Sequence, residues 1–242
     1  MKLSRRFLTL VLSLGAAASV PAASIGFSFN SNRDNDIAVM NADTVAGVIP
    51  STGWVNSDGG ADAGAGANGS MSNSGVQVDW TSNGTWNTNN GAGNGDNILM
   101  NGYVDAINAG GSASINLTNL NSFFADGYDI YVYFGSDGNN RTGAVQGPGA
   151  TFDFRTFSQQ AGDFPAQYIQ ATTQNPLGPN SPQANYAIFE NLSGDAQTFD
   201  LIRGSSNSGF HGVQIVGELV PEPSSALLIG LSGFLFMFRR RR

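Results

Sequence analysis

The chain has no cysteine, a single histidine and, apart from Lys2, no lysine. Absent cysteine excludes disulfide staples, thiol nucleophiles and thiolate-ligated zinc or iron–sulfur sites. One histidine, His211, restricts any Ser-His-Asp arrangement or imidazole metal site to that residue, and Gly204-Ser-Ser-Asn-Ser-Gly209 misses the spacing of a Gly-x-Ser-x-Gly elbow. Positive charge is scarce: residues 23–220 hold four arginines against 17 acids, 15 of them Asp, for a net of −13. Nucleic-acid binding needs clustered Lys/Arg to displace phosphate counterions, so no nucleic-acid partner is expected. The acidic body keeps the protein soluble and self-repelling without specifying a ligand.

The basic residues sit at the two ends. Lys2, Arg5 and Arg6 precede an apolar run from Phe7 to Leu14 and then small residues. That pattern predicts a signal peptide over 1–22, read by the export machinery and cut by signal peptidase to start the mature chain at Ala23, or next best between Ser24 and Ile25. The run is too short to span a bilayer, which disfavours a retained anchor. At the other end Val220-Pro221-Glu222-Pro223-Ser224-Ser225 precedes the apolar stretch Ala226–Phe238, and Arg239, Arg240, Arg241 and Arg242 close the chain. Thirteen residues at helical rise give about 20 Å against a hydrocarbon core of about 30 Å, so a short transmembrane helix is expected only with help from the serines and snorkelling arginines. Basic flanks stay cytoplasmic, which places the acidic body outside. The prolines push Val220 and Glu222 towards extended backbone, as a processing groove requires.

This order of proline-containing motif, short apolar helix and arginine cluster over residues 220–242 resembles the PEP-CTERM sorting signal of exported bacterial proteins. The resemblance implies recognition by exosortase, a membrane-embedded transpeptidase-like enzyme, with processing near Pro221-Glu222-Pro223. It also implies a membrane-anchored precursor delivered to the cell surface or exopolysaccharide (biofilm) matrix.

Between the ends, alternating apolar residues recur between Gly/Asn/Asp/Ser clusters, and helical periodicity is almost absent. Ile25–Phe29, Val76–Trp80, Ile115–Leu117, Tyr128–Phe134, Phe152–Phe154, the Tyr168-Ile169 region, Ala187–Phe189, Phe199–Leu201 and Val213–Ile215 predict about nine strands. Tyr128–Phe134 is apolar or aromatic on both faces, as a central strand would be. The predicted fold is all-β, one domain over 23–219, an antiparallel β-sandwich of jelly-roll type. Residues 56–75 and 174–183 read as loops, the first from its Gly/Ala content and the second from Pro176, Pro179 and Pro182. The segments Gly95–Tyr103, Gly127–Phe134 and Gly209–Val216 are similar to those of an uncharacterised group of exported PEP-CTERM proteins with a β-sandwich body. In that group the last strand commonly carries Asn where this chain has His211.

The body offers four kinds of candidate chemistry. His211 enters a predicted core strand, where a turn or capping hydrogen bond is a simpler job than catalysis. Carboxylate pairs could run glycoside hydrolysis, but 17 acids make some pair always arguable, so a secreted carbohydrate-active hydrolase ranks third. Calcium prefers carboxylate and carbonyl oxygens of Asp/Asn/Gly loops, which makes Asp34, Asp36, Asp96 and Asp137 candidates against a reading as solvated turns. Trp54 and Trp86 lie in polar, Gly-rich surroundings where an aromatic face can stack on a sugar, with Arg141 as a planar donor; Trp80 continues a core face instead. The leading expectation is a non-catalytic surface or matrix protein without cofactor, or at most with Ca2+. A polysaccharide-binding module is the alternative.

Overall fold

The computed structural model describes residues 22–31, 38–57, 68–90, 93–106, 111–157, 164, 167–172, 174, 180–205 and 207–220. Residues 1–21 of the signal peptide expected over 1–22, Asp34 and Asp36, and residues 221–242 with the rest of the motif, the apolar stretch and the arginines lie outside the described residues. Among those described, no helix is long and apolar enough to cross a membrane.

The described chain is almost entirely β. The strands are β1 (Ala22–Ser28), β2 (Val55–Asn56), β3 (Gly69–Asn73), β4 (Val76–Thr81), β5 (Gly84–Asn87), β6 (Gly102–Asp105) and β7 (Ser112–Thr118), then β8 (Phe124–Gly135), β9 (Thr142–Gly147), β10 (Ala150–Arg155), β11 (Tyr186–Leu192), β12 (Gln197–Arg203) and β13 (Gly209–Leu219). One short α-helix, α1 (Gly95–Leu99), and a 3-10 turn over Leu120–Ser122 interrupt them. A first sheet runs β11-β8-β13-β1-β2, with β6 pairing β13 and β5 pairing β6; a second runs β10-β9-β12-β7-β4-β3. Every strand pair is antiparallel except β1 with β2.

The period-2 patterns explain how these sheets meet. In β4, Val76, Val78 and Trp80 are buried while Gln77 and Asp79 are not, and the same alternation puts Ile115, Leu117, Phe199 and Leu201 inward. They share one core with Ile25, Phe27, Ile130, Val132, Val213 and Ile215 of the first sheet. Phe134 meets Phe154 at 4.2 Å between ring centroids, and Phe29 meets Trp80 edge-on at 5.3 Å. β8 is apolar on both faces because its other face is also covered. Met40, Ala46 and Trp54, α1 with Ile98 and Leu99, and Phe164 pack there around Tyr133 and Tyr186 as a second cluster.

Five strands escape the sequence reading, and one expected strand is missing. β3 runs through a stretch read as loop, and β2, β5, β6 and β9 are short or glycine-bearing. Tyr168-Ile169 is not a strand: it is tied by Asn185, whose Oδ1 accepts from Ile169 N at 2.8 Å, and only Gln170 forms a bridge, to Tyr186. The described part of 174–183 adds no strand, only the bridge from Gln183 to Arg155, as its prolines require.

Strand direction gives the molecule two unlike ends. β1 starts where β13 finishes, with Ala22 opposite Glu218, so the chain enters and leaves at the same end. That near end is closed by the short turns 74–75, 119–123, 148–149 and 193–196. Ser74 and Gly75 both take positive φ (53° and 90°), the mirror-image turn that matches hairpin twist. Strands β1, β4, β6, β8, β10 and β12 all finish at the far end.

Candidate functional site

The far end holds a buried polar cluster built on β6. Val104 points into the shared core, so the alternating neighbours Tyr103 and Asp105 point out of it, and both are fully buried. The pairs flanking Asp105 are glycines, Gly84 on β5 and Gly209 on β13. Gly209 must be glycine: a Cβ there would approach Val104 O at 2.2 Å and the Tyr103 ring at 2.4 Å. Neither carboxylate oxygen of Asp105 has a hydrogen-bond partner among the described residues. Burial first, then the Asp137 carboxylate, raises its pKa from 3.8 to about 7; Arg203 and Arg141 draw it back only in part. The Ala106 N–H, already donated to Ser208 O at 3.1 Å, favours the anion least.

Asp137 and Arg141 frame this cluster from the β8–β9 connection. Arg141 Nη1 forms an ion pair with Asp137 Oδ1 and donates to Ser136 Oγ at 2.8 Å and Asn207 O at 3.3 Å. Tyr103 Oη donates to the same Asp137 oxygen at 3.2 Å, and burial, Asp105 and Asp137 push its own pKa well up. Thr156 pins the loop: its Oγ1 donates to Gly138 O at 2.6 Å and accepts from Arg141 N at 3.0 Å. Behind Tyr103, ring centroids 5.2 Å apart, sits His211. Its Nδ1 faces Gly102 O at 2.8 Å, and a carbonyl only accepts, so Nδ1 carries the proton and Nε2 is a buried acceptor without partner among the described residues. Burial lowers its pKa to about 3, which keeps the ring neutral.

The structure gathers some predicted residues here and separates others. Trp86, half-buried, stands opposite Tyr103 in the β5–β6 register, so their side chains share a face, and Arg141 reaches Tyr103 through Asp137. Trp54 is elsewhere and is no exposed stacking platform. It is 4 % exposed, lies on Gly26, where a Cβ would come within 2.3 Å of its Cδ2, and donates Nε1 to Ser51 O at 3.0 Å. Asp96, in the first turn of α1, accepts from Gly47 N at 2.9 Å and Tyr168 Oη at 2.6 Å, binding the strap 46–51 to the helix. Asp96 and Asp137 therefore serve different clusters, and among the described residues no group of three or more His, Asp or Glu could hold a metal ion. Tyr103 and Asp105 were not singled out by the sequence: a four-residue strand is too short to show a period, and the glycines that bury Asp105 are remote in the chain.

At the near end an open cavity of about 540 Å³ is lined by Asp126, Tyr128, Asp129, Leu192 and Glu218 among others. Beside it the chain leaves the fold: Leu219 ends β13, and the exposed Val220 donates its N–H to Phe123 O at 2.9 Å. Residues 219–242 match the PEP-CTERM protein-sorting motif. The chain thus carries the signal of an exported protein targeted to an exosortase, with a membrane-anchored precursor. No curated protein and no solved structure matches the chain.

Proposed function

We propose that the chain is the precursor of a non-catalytic cell-surface or extracellular-matrix protein, its two sheets forming a β-sandwich of jelly-roll type. Export begins with removal of residues 1–22, the apolar stretch 226–238 holds the precursor in the membrane, and processing at Pro221-Glu222-Pro223 precedes delivery to an exopolysaccharide matrix. The sorting motif carries this reading. The adjacency of β1 and β13 supports it, because both chain ends leave one end of the body and the far-end loops face away from the bilayer. Glu222→Ala is expected to leave precursor that still carries Arg239–Arg242. Intact mass of the protein from membrane and medium fractions reads this, and unchanged processing would reject the sorting reading.

A glycan-binding role at the far end is favoured by one observation, the half-buried Trp86 on the face it shares with the buried Tyr103, which Asp137 links to Arg141. Aromatic faces and fixed polar groups are the usual elements of a sugar site. Trp86→Ala is expected to abolish a specific hit on a glycan array while shifting the melting temperature little. Binding that survives this change would place any glycan site elsewhere.

A further inference from the structure

The sorting signal and the folded body share residues. The matched segment begins at Leu219, which is also the last residue of β13. Leu219 pairs with Phe124 of β8, and Val220 N–H donates to Phe123 O at 2.9 Å. β13 is an interior strand whose end runs between β8 and the start of β1. No linker therefore separates the sheet from Pro221. Two residues of chain reach at most about 7 Å when extended, so the step from Val220 to Glu222 leaves no room for a spacer. An enzyme that takes the motif as an extended segment must hold chain on both sides of the processed position. Backbone groups of Leu219 and Val220 cannot pair with that enzyme and with β8 at once.

The same geometry makes the last two residues separable from the rest. The β13–β8 register shifts between Gly217 and Leu219, so the Leu219–Phe124 pair stands apart from the continuous ladder. The Phe124 ring packs over Gly217, where a Cβ would meet its Cδ1 at 2.6 Å. Phe124 is itself buried in the shared core, so the close-packed part of the strand ends there, while Val220 is 39 % exposed.

We propose that Leu219–Val220 form a strap that gates the sorting signal, which is processed from the state in which these residues have detached from Phe123–Phe124. The proposal rests on the exosortase reading of the tail and adds that the fold sets the rate of its own processing. The test follows the full-length chain by pulse–chase in cells that contain its exosortase. Inserting Gly-Ser-Gly-Ser-Leu-Val after Val220 leaves β13 intact and repeats the Leu-Val step before Pro221. It is expected to speed processing about tenfold, the factor equivalent to roughly 1.4 kcal/mol of opening. Leu219→Ala, which loosens the strap without lengthening it, is expected to speed processing several-fold. An insert that changes nothing or slows the reaction overturns the proposal. Acceleration by the insert with Leu219→Ala unchanged overturns it too, since distance from the body would then be the cause. Glu222→Gln separates the two readings: if this variant is processed normally, the sorting reading fails and the strap with it, whereas an inert Glu222→Gln beside an indifferent insert removes the strap alone.

Discussion

Asp105→Asn is expected to stabilise the protein above pH 7, by on the order of 3 kcal/mol, and to remove a contribution that falls with rising pH between about pH 4 and 7, leaving a stability that increases with pH over that range. The sign follows from proton binding. The folded Asp105 carboxyl keeps its proton up to about pH 7, whereas an ordinary Asp has a pKa of 3.8. Between those values the folded state binds more protons at Asp105 than the unfolded one, so this group's contribution to stability falls as pH rises and levels off above 7. The cause is structural: a fully buried carboxyl, neither oxygen hydrogen-bonded among the described residues, faces Asp137, while Arg141 is already engaged by that same Asp137. Tyr103, pushed well up by burial, lies outside this window, but His211 does not: held at about 3 in the fold against an ordinary 6.5, it contributes stability that rises with pH between about 3 and 6.5 and opposes the Asp105 slope. Asparagine removes the charge but must bury an amide in the same place, which reduces the gain. Urea unfolding at pH 4, 5.5 and 8 checks this. A variant with the same slope as the parent would show that Asp105 is not the group responsible.

Trp54→Ala is expected to cost about 3–5 kcal/mol, the range for deleting a buried aromatic. The indole fills the space above Gly26 that no other side chain could share, and it meets Tyr133 edge-on at 6.2 Å between ring centroids. Tyr133 in turn holds the strap, accepting from Val48 N at 2.8 Å and donating to Gln214 Oε1 at 2.7 Å. Loss of the indole therefore loosens residues 46–54 and the outer cover of the first sheet together. Thermal unfolding with near-ultraviolet dichroism reads the loss. A drop below about 1 kcal/mol would mean that the strap is not packed there. Trp86→Ala, on a half-buried strand face, is the internal contrast.

Strands were legible where apolar residues alternated, and plainest where the alternation ran for five or more residues. Val76-Gln-Val78-Asp-Trp80 and Tyr128–Phe134 declare their faces because side-chain direction in a strand has a period of two. β2 has two residues and β5 and β6 have four, too few to establish a period, and they exist because β1 and β13 offer them partners. The site was less legible than the fold. Asp96 and Asp137 look alike in Gly/Asn-rich sequence, yet one ties a strap to a helix and the other pairs with Arg141. Trp54 and Trp86 likewise have similar local surroundings, but Gly26, 28 positions earlier, decides that Trp54 is buried.

The sequence by itself determined the protein's address, its all-β character and its acidic, cysteine-free body. Those properties are local or additive: a contiguous tail motif, a two-residue period, a sum of charges. Only the tertiary structure decided which residues act together. Non-local pairing brings Asp105 between Gly84 and Gly209, joins Trp86 to Tyr103, and sets β1 beside β13. It also seats the first residues of the sorting signal against Phe123 and Phe124. None of these contacts can be read from neighbours in the chain, because each depends on strand register between distant segments, and register is settled by the burial of both sheets at once.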